Sequence, residues 1–309
     1  MENGYLKQPL QIKWYLTNKC NLRCKFCYLD SFKGHELSIT QTNNILNIIK
    51  SIDPIRVALL GGEPTEFEFF LNVITFLEKH EIPYSFSSNG QNLFQNTELV
   101  DFLSASKYLE DIQISLESSN SNINDNVRGK GSFSKAVKSI QELKKNRIKV
   151  TMAQLVTQDN LMITQNTVDF AASIGVDELR LLPFIPIGTG KQLKNRLFVN
   201  YQSMISVINN LDIPPNIIIS SYVQTPENNK VSYGCGAGTT SVVINSDLTL
   251  SACDLLTQKE QSRDAIYDVD SFIDIWSSDN VFKSWRNGTY RESTSCNKCA
   301  LYDFCGGYE

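Results

Sequence analysis

At 309 residues, 41% hydrophobic and 20% charged, the chain has room for one large core, or one large and one small, and the composition of an ordinary soluble globular protein. The 29 Lys and Arg against 33 Asp and Glu leave a net charge of −4, which excludes a bulk field for nucleic acid or anionic lipid. No apolar run approaches a membrane span and the first 16 residues carry no export signal, so a cytoplasmic protein with neither nucleic acid nor membrane as partner is expected.

In chain order, short apolar runs alternate with amphipathic stretches. Strands are predicted over 11–15, 57–60, 84–88, 111–116, 150–156 and 179–182, with helices over 40–52, 67–80, 99–106, 133–145 and 163–173. Thr40 is the expected cap of the first helix, whose apolar face is Ile45, Leu46, Ile48 and Ile49. Six strands, each followed by a helix or its equivalent, predict an α/β fold with a parallel sheet, helices outside, and ligand sites at the strands' C-terminal ends. A helix over 200–211 and a strand over 216–222 follow. The polar segment 224–229 marks a boundary between a core at 10–223 and a smaller unit at 224–309. There, 241–244 and 248–251 read as hairpin strands around Asn245-Ser246-Asp247, and a short helix falls within 272–285.

The cysteines carry the chemistry. Eight are present in two groups, Cys20, Cys24 and Cys27, then Cys235, Cys253, Cys296, Cys299 and Cys305, and with only His35 and His80 any metal must rest on sulfur. Clustering in a long, non-secreted chain argues for metal ligands over a disulfide framework. Three thiolates on one loop can hold three corners of an iron–sulfur cube and leave one iron open, because no fourth cysteine is near. The alternative is a zinc knob, which wants four N or S ligands. For the second group, a hairpin between Cys235 and Cys253 and the turn Cys296-x2-Cys299 can close a four-thiolate cage, and spacing alone leaves iron–sulfur and zinc both open.

Cys20-x3-Cys24-x2-Cys27 after a first strand, with Phe26 in the aromatic slot, resembles the signature of the radical S-adenosylmethionine (SAM) superfamily. That resemblance implies a partial (β/α)6 TIM-like barrel and a [4Fe–4S] cluster on Cys20, Cys24 and Cys27. It implies S-adenosylmethionine on the open iron, cleaved to a 5′-deoxyadenosyl radical that abstracts hydrogen. Later strand ends resemble the family's cofactor-contacting segments. These are Gly61-Gly62-Glu63-Pro64 on the methionine side, Ser88 and Asn89 on the ribose side, then Ser115 and Glu117, Arg128 within Val-Arg-Gly-Lys-Gly, and Gln154 and Arg180.

The second group is similar to the SPASM/twitch extension, a small α+β iron–sulfur domain with one or two auxiliary [4Fe–4S] clusters. Its spacing resembles the single-cluster form of an aminoglycoside dehydrogenase. Cys296, Cys299 and Cys305 match the SPASM pattern, but Glu309 stands at the next cysteine position. One auxiliary cluster on Cys235, Cys253, Cys296 and Cys299 is therefore expected, with Cys305 a spare ligand, a bystander or a hydrogen-atom donor. The resemblance points first to modification of a ribosomally made peptide by crosslinking, epimerisation or oxidation. A small-molecule dehydrogenase or epimerase is the alternative, and an iron–sulfur redox sensor or zinc-stabilised binding module stands outside that class. A flavodoxin or ferredoxin would serve as reductant. With the first strand at residue 11, either a separate leader-binding protein or a substrate needing none is expected.

Overall fold

The computed structural model describes residues 6–221, 236–255 and 260–286. Seven parallel strands pair in chain order, β1 (Gln11–Tyr15), β2 (Arg56–Leu60), β3 (Tyr84–Ser88), β4 (Leu109–Ser115), β5 (Val150–Val156), β6 (Glu178–Pro183) and β7 (Ile218–Ser221). Against the other side of β1 lies β8 (Ser241–Ile244), also parallel, and β9 (Leu250–Ser251) runs antiparallel to β8. Of the predicted strands β1, β3, β5 and β8 stand at their predicted bounds, the others stand with their ends shifted, and the hairpin around Asn245 extends the same sheet.

Helices fill the crossovers: α1 (Ile39–Ile52), α2 (Phe70–Lys79), α3 (Thr97–Ala105), α4 (Ser121–Arg128), α5 (Ser132–Lys145), α6 (Thr164–Ser173), α7 (Lys194–Leu197) and α8 (Tyr201–Asn209). The last described segment forms α9 (Val269–Ser278) and α10 (Asn280–Arg286). The single helix expected over 272–285 is broken at Asp279, whose extended backbone ends α9 and whose carboxylate accepts from Val281 N. The cap of α1 is Ser38 and not Thr40. Ser38 has Gln41 three residues on, and the two side chains bond each other's backbone N–H in a capping box.

Strand alternation sorts the side chains. Ile112, Ile114, Val150, Met152, Leu179 and Leu181 pack beneath the helices in one large core, while Gln113, Ser115 and Arg180 take the other face, the interior of the partial barrel. Two aromatic pairs lock parts of the outer layer, Phe70 on Phe86 and Trp276 on Phe282. Among the described residues no helix is long and apolar enough to cross a membrane.

Candidate functional site

The loop bearing the first three cysteines leaves the C-terminal end of β1 and is fastened to three later segments. The end of β2 is the first. Gly62 N donates to Thr17 O and Glu63 N to Lys19 O, both at 2.8 Å. A Cβ at Gly61 would stand 2.8 Å from Thr17 O, and one at Gly62 would stand 2.3 Å from Lys19 O. The Gly-Gly pair is thus required by the cysteine loop's own backbone. α4 is the second, through Lys25 N to Val127 O at 2.9 Å.

The third is the turn after β6. Thr189 N donates to Leu29 O, Gly190 N to Cys27 O, and the Thr189 hydroxyl to the Cys27 carbonyl at 3.2 Å. Gly188, at φ +55°, lies so close that a Cβ would meet Tyr28 C and O at 2.3 Å. Tyr28 in turn donates its hydroxyl to Gly61 O and meets Tyr15 edge to face. Sequence reasoning passed over Gly188-Thr189-Gly190, although two glycines around a threonine past a strand end are a readable signal of close backbone approach.

Each thiol of the loop faces N–H donors. Cys20 Sγ accepts from Leu22 N at 3.4 Å and stands 3.6 Å from Asn89 Nδ2, while Arg128 Nη1 lies 3.9 Å from Cys24 Sγ. Burial pushes all three thiols up, Cys27 to about 11 in spite of the Leu29 N–H. Burial thus favours the thiol over the thiolate, and a bound metal would have to displace those protons. No three His, Cys, Asp or Glu side chains among the described residues are gathered tightly enough to hold a single metal ion. Three sulfurs on one tetrahedral zinc would lie only about 3.8 Å apart, at bonds of about 2.3 Å, whereas cluster thiolates sit on separate irons. The donor set, three thiols carried on one loop, fits an iron–sulfur cluster.

Two buried carboxylates organise the surroundings. Glu63, 1% exposed, accepts from the Ser88 hydroxyl, the Thr65 hydroxyl and N–H, and Asn89 N, so it joins the end of β2 to that of β3. Burial raises its carboxyl above the usual value against those hydrogen bonds. Glu117 takes Arg128 Nε at 2.6 Å and Nη2 at 2.5 Å on one oxygen and Leu155 N on the other, with side-chain exposures of 3% and 11% for the pair. Asp125 fixes the turn that carries Arg128 by accepting from Gly131 N and Phe133 N at the start of α5. Burial works against its ionisation, but those N–H groups hold its carboxyl below the usual value.

Phe26 packs with Val127, Phe184, Leu197 and Leu155 into an apolar wall beside Cys24, and the Arg128 guanidinium lies over its ring. Pro64 opens a single 3-10 turn capped by Glu63. Ser115 is in the barrel interior, at the end of β4. Arg180 is also interior, bonded to Glu178 and Gln113, whose amide reaches Ser87. Gln154 is not brought to this site. It pairs in register with Leu181 on the helix-facing side, fully buried, with both amide atoms lacking a partner.

Of the second cysteine group only Cys253 is described; Cys235, Cys296, Cys299 and Cys305 lie outside the described residues. Gly238, three residues after Cys235, packs against Ala252 and Trp285, and Arg286 Nε donates to its carbonyl at 2.7 Å. Asp254 ties this region to β1 through Lys13 Nζ at 2.7 Å and the Tyr15 hydroxyl at 2.9 Å.

A family model described as the Radical SAM superfamily matches residues 14–171. The mycofactocin maturase MftC of Mycolicibacterium smegmatis is 27% identical over 98% of this chain and 78% of its own length. The antilisterial bacteriocin subtilosin biosynthesis protein AlbA of Bacillus subtilis is 27% identical over 97% of this chain and 67% of its own. Streptococcus suis SuiB bound to precursor peptide SuiA superimposes with a TM-score of 0.79 at 20% identity, covering 98% of this chain and 72% of that one. Native anSMEcpe with bound AdoMet and a peptide gives 0.74 at 19% identity, over 97% and 88%. These two structures show that the fold is shared.

Proposed function

Since the chain belongs to the radical SAM superfamily, we propose that Cys20, Cys24 and Cys27 hold its [4Fe–4S] cluster and that the product of its S-adenosylmethionine chemistry acts on a ribosomally made peptide. The observation that carries the site is the fastening of one cysteine loop by β2, α4 and the turn after β6, with every thiol facing an N–H donor. With S-adenosylmethionine bound, the reduced cluster supplies a 5′-deoxyadenosyl radical able to take a hydrogen atom from substrate. The protein's part is to orient and to exclude water. The wall of Phe26, Val127, Leu155 and Phe184 beside Cys24 offers an apolar face to an adenine. Ser88, Asn89 and Ser115 stand at the ends of β3 and β4, where a ribose or amino acid moiety would meet polar groups. Arg128 adds a fixed positive charge beside Cys24, suited to a carboxylate. Arg180 lies deeper in the barrel, held by Glu178 and Gln113.

The peptide reading is supported by the names of the relatives, a mycofactocin maturase and a bacteriocin biosynthesis protein, which align over nearly all of this chain. SuiB, of the same fold, was captured with its precursor peptide. In this reading residues 10–223 form the radical core and 224–309 carry one auxiliary [4Fe–4S] cluster on Cys235, Cys253, Cys296 and Cys299. Its support is the convergence on Gly238 of the segments that adjoin Cys235 and Cys253 and lead toward Cys296. A flavodoxin or ferredoxin would deliver the electron.

Anaerobic reconstitution tests the proposal. Iron and sulfide should bind, dithionite should yield 5′-deoxyadenosine, and deuterium from a labelled precursor peptide should appear in that product. Cys24→Ala should abolish the cleavage. A Cys24→Ala protein that still cleaves S-adenosylmethionine would defeat the assignment, and deuterium arriving only from a sugar would move it to small molecules.

A further inference from the structure

Among the described residues, the two side-chain N–H donors that reach the thiols are themselves each aimed by a buried carboxylate. Asn89 gives its backbone N–H to Glu63 Oε2 at 2.7 Å, and its Nδ2 faces Cys20 Sγ at 3.6 Å while bonding Asn21 Oδ1 at 2.7 Å. Arg128 gives Nε and Nη2 to Glu117, and its remaining Nη1 faces Cys24 Sγ at 3.9 Å. Glu117 cannot drift, because its second oxygen is held by Leu155 N and its own backbone N–H by the Asn124 side chain. Glu63 is equally fixed by Ser88 and Thr65.

Four donors on Glu63 and three on Glu117 leave these carboxylates occupied within the protein. Their geometry suits holding a neighbour still better than grasping a ligand. Reduction of an iron–sulfur cluster adds negative charge that spreads onto its sulfurs. Amide dipoles and a nearby cation stabilise that added charge, so hydrogen bonds to the thiolates and local charge raise the potential.

We propose that Glu63 and Glu117 are positioning residues that aim the Asn89 amide and the Arg128 guanidinium at Cys20 and Cys24, and so set the reduction potential of the cluster those cysteines hold. This rests on the reading that the three cysteines carry a cluster.

The test is an EPR-monitored redox titration of the reconstituted full chain, followed on the signal that S-adenosylmethionine perturbs. Asn89→Ala removes one donor and leaves the backbone bond to Glu63 intact. The pair Glu117→Gln with Arg128→Met removes the other donor without stranding a buried charge. Each variant should shift the one-electron equilibrium about tenfold toward the oxidised form, a fall of ~59 mV in midpoint. A midpoint that does not move overturns the assignment for that carboxylate, and loss of the cluster from both variants makes the two pairs scaffolding and overturns it altogether. Wild-type protein that takes up no iron defeats the underlying cluster reading instead, and is told apart by its lack of colour before any titration begins.

Discussion

Gly188→Ala separates backbone strain from contact with the cysteine loop. At φ +55° any residue with a Cβ meets a steric cost of about 1–2 kcal/mol. The added methyl would also stand 2.3 Å from Tyr28 C and O and 2.4 Å from Cys27 O. Carbon contacts relax at roughly 3.5–4 Å, so the turn and the loop must part by about 1.2–1.7 Å. That overpacking adds about 1–3 kcal/mol and loosens the bonds from Thr189 N and Gly190 N that hold the loop. Gly175 is the matched control, since its φ is +75° but a Cβ there would have nothing within 4 Å. Urea denaturation of the metal-free chain should therefore show Gly175→Ala down by about 1–2 kcal/mol and Gly188→Ala by about 2–5 kcal/mol. Only Gly188→Ala should lower the iron bound after reconstitution. Equal losses in the two variants, with equal iron, would refute the claim that this turn clamps the loop.

Asp125→Asn should cost about 1 kcal/mol at neutral pH, since a carboxylate at the start of α5 is replaced by a neutral acceptor. Because the folded carboxyl is held below its unfolded value of about 3.9, its contribution is full above that value and is lost as the pH falls through the folded one. Denaturation midpoints of variant and parent should thus converge below about pH 4. Gln154→Met should stabilise the chain by about 1–3 kcal/mol by removing a buried amide without partners, and should leave S-adenosylmethionine affinity unchanged; weaker binding by calorimetry would place Gln154 at the cofactor after all. Ser38→Ala should lower stability by about 1 kcal/mol while Thr40→Ala stays near zero in the same urea assay, and the reverse order would restore Thr40 as the cap.

The sheet was legible because its strands are short apolar runs between turn residues, and β1, β3, β5 and β8 stand at their predicted bounds. α4 was not, because Ser121–Arg128 has only Ile123 and Val127 as apolar residues, too few to display a helical period. That Cys20, Cys24 and Cys27 share one loop beyond β1 was legible, because all three fall within residues 20–27 and follow a predicted strand. What holds it was not, since Glu63 finds Ser88 and Asn89, and Glu117 finds Leu155, across the sheet, where no local pattern points. Gln154 is a different case. Val150, Met152 and Val156 already share its parity, so strict alternation would have turned it toward the helices and away from the barrel interior.

The union of β1 with β8 has a consequence for what can be cut. β1 carries the cysteine loop at its end and is bordered on both sides, by β2 and by β8 in register from Gln11↔Ser241 to Trp14↔Ile244. Deleting the segment from residue 236 onward would strip one flank of that strand and bare a row of amides and carbonyls beside the buried Trp14. Such a naked border invites other chains to pair with it. A shortened enzyme would be prone to stick to itself before any question of lost metal arose.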